Sequence, residues 1–143
     1  MESLRLIGRT AVALLFLTSG IFHLLVPRFF LAIMPPYLPW RHEAVFVSGV
    51  FELLGAIGLL IPSQRRVAGM GLFVLTILVT PANVYMWRRA DLFPNFAPSL
   101  LFWRLPAQLL LLVLIYWSAI RRAVAAPPGR VSAGIAQKDD GSE

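Results

Sequence analysis

The sequence predicts an all-α protein, an integral membrane four-helix bundle, and three observations lead there. The chain is 58% hydrophobic and 14% charged, against roughly 25% charged in soluble domains, and its mean hydropathy is +0.74. Four apolar stretches are long enough to cross a hydrocarbon core. The net charge of +6 comes from arginine, with one lysine among thirteen basic residues. These arginines gather at the ends of the apolar stretches, which is a topology signal and not a nucleic-acid footprint. In 143 residues the four stretches leave no room for a separate soluble module.

The first span covers 6–26 and closes at "VPRFF". Arg5 and Arg9 precede it as they would a signal peptide, but no small-residue cleavage site follows, so it is read as a span. The second covers 44–61 and stops at Pro62, before the turn "SQRR". The third covers 67–87 and stops at "RRAD"; Pro81 within it removes the donor for the Ile77 carbonyl and predicts a kink just below Asn83. The fourth covers 100–120, with Pro106 in its first turns, and closes at Arg121 and Arg122. Residues 1–122 are thus one four-span domain. Residues 123–143, rich in Pro, Gly and Ala, are expected to be a disordered cytoplasmic tail.

An even number of spans puts both termini on one side, together with the "SQRR" turn. That side carries Arg5, Arg9, Arg65, Arg66, Arg121, Arg122 and Arg130, against Arg28, Arg41, Arg88 and Arg89 on the other. The positive-inside rule therefore places both termini in the cytoplasm. The two outer connections are different in kind. Residues 27–43 combine Phe29, Phe30, Tyr37 and Trp40 with prolines, which suits an interfacial belt or a lid.

Sequence position converts to depth at about 1.5 Å per residue, with alternating sign between spans. On that scale the strongly polar side chains within the spans share the outer half: His23, Ser48 and Glu52, Asn83, and Arg104 with Gln108. Within each helix they also share a stripe with small residues, as Gly20 with His23 and Ser48 with Glu52, Gly55 and Ala56; Thr76, Thr80, Asn83 and Trp87 do so in span three. A lone charge at mid-membrane costs about 2.5–3.5 kcal/mol, so such groups pair or face a cavity. Glu52 and Arg104 are the ionisable residues of opposite sign at matching depth, and the expectation is that they pair or share a hydrogen-bond network. Each group also has a plain structural reading. His23 can bond a backbone carbonyl, Asn83 and Gln108 can join helices, and Arg104 can snorkel to the interface. Glu52 is too short to snorkel.

With no cysteine there is no disulfide, dithiol relay or thiolate metal site, and two histidines on the outer side make no metal or haem site. No cofactor is encoded.

The segments "SGIFHLLVP", "VSGVFELLGAIGLLIP", "RRVAGMGL", "TPANVYMW" and "RLPAQLLLLVLIYW" together resemble the DoxX-like family of small four-helix bacterial membrane proteins, over residues 8–118. The resemblance implies a multi-pass protein of the bacterial inner membrane. It carries over onto His23, Ser48, Gly49, Glu52, Asn83, Arg104, Pro106 and Gln108. It also implies a place beside a quinone or another lipophilic molecule in a membrane redox complex, while dithiol chemistry needs cysteines this chain lacks. In that reading Glu52 and His23 are catalytic and manage protons, and Ser48, Asn83, Arg104 and Gln108 bind substrate. Two alternatives stay open: a stand-alone membrane enzyme doing acid–base chemistry, isomerisation or hydration, on a lipophilic substrate, and an assembly factor whose polar cluster is purely structural.

Overall fold

The computed structural model describes residues 2–121, which are mostly helical, with short turns between the helices and no strand among them. The tail expected at 123–143 lies outside the described residues. Four helical stretches are long and apolar enough to cross a membrane: Glu2–Leu25, Arg41–Leu60, Arg65–Arg88 and Pro98–Ile120. The first is α1 (Glu2–Leu25), followed by a short α2 (Pro27–Ile33), and the second is α3 (Arg41–Leu60). The third is broken into α4 (Arg65–Leu78) and α5 (Thr80–Arg88). The fourth is α6 (Pro98–Ile115) with a final π-helical turn, Tyr116–Ile120.

The break in the third stretch falls at Val79, two residues before Pro81. Proline has no N–H to bond the Ile77 carbonyl, so the helix restarts with Pro81 in its first turn, where a missing donor costs nothing. The last carbonyls of α4 are thereby left for other partners.

α3 packs on α1, α2 and α4, whereas α6 packs on α1, α4 and α5. α3 and α6 are therefore diagonal to each other. The α1–α3 contact is close because it is made on glycine. A Cβ added at Gly49 would lie 2.7 Å from the His23 Cβ, and one added at Gly20 would lie 2.9 Å from the Gly49 carbonyl. Each of these glycines stands three residues before an ionisable residue, His23 or Glu52, so the contact that joins the helices also brings those two side chains together.

Along the bundle axis the interior falls into three layers. At the end holding the N-terminus of α1 and the π-helical turn, Val12, Phe16, Leu59, Leu72 and Ile115 form a dry core. At the opposite end Ile33, Met86, Phe93 and Leu101 form a second apolar cluster, roofed by Phe29, Phe30 and Phe96. The connection containing Phe29 and Phe30 thus folds over the bundle end as a cap. Between the two layers lie a polar band and a cavity. In the exposed loop beyond α5, Arg89 pairs with Asp91 at 3.2 Å, and the hydrogen bond from Arg89 holds the Asp91 carboxyl below its ordinary range.

Candidate functional site

The cavity has a volume of about 880 Å³ and is walled by five of the helices together with the cap. Of the six polar residues singled out in the sequence, His23, Ser48, Glu52, Asn83 and Arg104 line it, and Gln108 stands behind Asn83. The structure divides them into two groups that face each other across the space.

The first group is on α1 and α3. His23 Nδ1 is 3.0 Å from the Ser19 carbonyl, which can only accept, so Nδ1 carries the proton in this arrangement. The same nitrogen is 3.4 Å from Glu52 Oε2. The imidazole lies flat against Phe30 from the cap, with ring centroids 3.6 Å apart and planes at 22°. Both side chains are deeply buried, Glu52 at 5% exposure and His23 at 8%. Glu52 Oε2 is a fully buried atom with no hydrogen-bond partner among the described residues. A buried polar atom left unsatisfied costs about 1–3 kcal/mol, and more if charged, against about 1 kcal/mol contributed by a made hydrogen bond. Ser48, one turn before Glu52 on α3, lines the same wall.

The second group spans α4, α5 and α6 as a directional chain. Arg104 Nη2 donates to Asn83 Oδ1 at 3.2 Å, and Asn83 Nδ2 donates to Gln108 Oε1 at 2.6 Å. Gln108 Nε2 donates to Thr80 Oγ1 at 2.6 Å and to the Thr76 carbonyl at 2.8 Å. Thr80 Oγ1 donates in turn to the Thr76 carbonyl at 3.3 Å. Thr76 lies in the last turn of α4, where carbonyls lack partners inside the helix, and the break before Pro81 is what makes its oxygen available to Gln108.

The expected pairing of Glu52 with Arg104 is not made. Glu52 has His23 as its neighbour, and Arg104 has Asn83. The reason is the helix arrangement: α3 and α6 are diagonal, and the cavity separates them. Trp87 also leaves the stripe of Thr76, Thr80 and Asn83; it is exposed and packs against Phe102 at 5.8 Å. Two contributors were not visible as site residues in the sequence, the Ser19 carbonyl and Phe30. Phe30 carried a faint signal as an aromatic in the connection that follows His23 closely. Among the described residues no three His, Asp or Glu side chains assemble as a metal-ligand set.

The family described as a domain of unknown function, DUF8561, matches residues 12–122. The chain belongs to the DUF8561 family. The stretch this DUF8561 chain shares with its family includes both polar groups, the cap and the broken third helix. Among curated proteins and solved structures no match is found.

Proposed function

We propose that this protein is a multi-pass protein of the bacterial inner membrane, with both termini in the cytoplasm, whose cavity binds a quinone or another lipophilic small molecule beside a membrane redox complex. The observation that carries this reading is the deeply buried Glu52 carboxyl, whose Oε2 has no hydrogen-bond partner among the described residues, on the wall of an otherwise largely apolar cavity. A head group placed there meets the Glu52 carboxyl on one side and the Arg104 guanidinium, held by Asn83, on the other. A molecule with two oxygens at opposite ends of a ring suits such a pair. A protonated carboxyl would donate to a carbonyl and a carboxylate would accept from a hydroxyl, so both redox forms of a quinone have a partner. Ser48 and the Asn83–Gln108 chain position the head, and the resemblance of the polar motifs to DoxX-like proteins supports the same class of ligand.

The test is a thermal-shift titration of the purified, detergent-solubilised protein with a benzoquinone and its quinol. Stabilisation of the wild type that Glu52→Gln reduces at least about tenfold in apparent affinity is the expected result. Equal stabilisation of both proteins, or of neither, overturns it.

A second reading has one observation in its favour. With the Nδ1 proton of His23 directed to the Ser19 carbonyl and Glu52 behind it, Nε2 is the ring nitrogen left to act as a base. That suits stand-alone acid–base turnover of a lipophilic substrate. Turnover by the isolated protein that His23→Gln abolishes without loss of ligand binding would favour it over simple binding.

A further inference from the structure

The cavity has an apolar arm that the polar groups do not explain. It runs along one ridge of α4 through Leu78, Val74, Gly71 and Val67, residues spaced to lie above one another on a helix. From Leu78 to Val67 the ridge is roughly 16 Å long at the helical rise. Val67, Val74 and Leu78 are 69%, 53% and 68% exposed, and a Cβ added at Gly71 would meet nothing within 4 Å, so the arm lies open along the side of the bundle. Val47 and Phe51 of α3 form its facing wall. It does not lead into the dry core, because α3 and α4 close on each other at Gly55, where a Cβ would lie 2.5 Å from Leu72. Nor does it lead out through the end of the bundle, which the cap residues Phe30, Met34 and Leu38 cover.

We infer that this arm holds the tail of a single-chain lipophile whose head sits between Glu52 and Arg104, and that the ligand enters sideways, between α3 and α4, from the bilayer. The inference rests on the reading of the cavity as a lipophile site and adds the ligand's shape and its route. The arm is continuous with the space that Glu52 and Arg104 line, so one molecule occupies both. One ridge of α4 facing one wall of α3 suits one chain, as in an isoprenoid or alkyl quinol.

The experiment compares two probes on the full chain in detergent: a 1,4-benzoquinol bearing a decyl chain and the same ring bearing a methyl group. Gly71→Trp fills the arm far from the polar groups, and the open space around Gly71 lets the fold accept it; Gly71→Leu serves the same comparison if the larger residue prevents folding. Phe46→Trp, on an exposed face outside the cavity, is the control. The expected result is that Gly71→Trp weakens the decyl probe at least about tenfold, since most of its methylenes lose their apolar contacts, and leaves the methyl probe and the control unchanged. Unchanged decyl affinity in both Gly71 variants overturns the tail route while the head site stands. Failure of the wild type to bind either probe overturns the head site and the route together.

Discussion

At the residue scale, the two side chains that the sequence suggests as a pair have different partners. Glu52 and Arg104 are opposite charges at similar depth, yet Glu52 lies against His23 and Arg104 against Asn83. A double-mutant cycle reads this directly. In unfolding measurements in detergent, Glu52→Gln with His23→Phe should show a coupling of about 0.5–3 kcal/mol, the range for residues in contact, whereas Glu52→Gln with Arg104→Met should be additive to about 0.5 kcal/mol. Gln108 is the hub of the other group. Replacing it with leucine strands Asn83 Nδ2 and leaves Thr80 Oγ1 and the Thr76 carbonyl with only their mutual bond, and the expected loss of stability is about 1–3 kcal/mol. Had Gln108 been only one member of a loose polar patch, water or a neighbour would take over its bonds and the loss would be small.

At the scale of elements, two local features set where the polar groups stand. Gly20 and Gly49 let α1 and α3 approach until the His23 Cβ lies 2.7 Å from where a Gly49 Cβ would be. Gly49→Leu should therefore cost about 1–3 kcal/mol or more by overpacking, and abolish the coupling between His23 and Glu52; an unchanged coupling would mean that the helices meet elsewhere. The second feature is the break before Pro81. An alanine there restores the donor for the Ile77 carbonyl and favours a continuous helix. Pro81→Ala should keep or raise helical content by circular dichroism while removing the Thr76 carbonyl from Gln108, so that Gln108→Leu becomes less damaging in the Pro81→Ala background than in the wild type. The cap belongs to this scale as well. Its Phe30 closes the polar band by lying on the His23 ring, and its Trp40 turns the chain into α3 with φ 51°, a left-handed conformation uncommon for a residue with a side chain.

At the scale of the whole molecule, both ends of the described chain come to one end of the bundle, where the Arg5 guanidinium reaches the Arg121 carbonyl at 3.5 Å. The proposed topology puts that end in the cytoplasm, and the absence of native cysteine makes the test simple. In intact spheroplasts Asn95→Cys should react with an impermeant maleimide, while Ser63→Cys should react only after permeabilisation. The reverse pattern would invert the topology and turn the cap and the polar band toward the cytoplasm. The three layers also bear on the purely structural alternative. A cluster that merely joined helices would pair its charges and fill its space, whereas here a cavity of about 880 Å³ separates the two polar groups, and the Glu52 carboxyl that lines it has a buried oxygen without a hydrogen-bond partner.

By itself the sequence determined the helical class, the positions of the four apolar stretches, the kink before Pro81 and the set of polar residues around one region, because hydropathy, proline chemistry and helical rise are local or one-dimensional properties. Depth along each helix follows from counting residues. Which side chain meets which depends on the order of the helices around the bundle and on how each is rotated, and no residue states that alone. Only the tertiary structure decided that α3 and α6 are diagonal, so that Glu52 turns to His23 and leaves Arg104 to Asn83. The glycines that set the α1–α3 distance were legible as small residues, but their effect appeared only once each was seen against the other helix. The lateral arm was equally hidden, since it is made of exposed valines and leucines like any others in an apolar helix, and becomes a feature only because the space beside it runs on to Glu52.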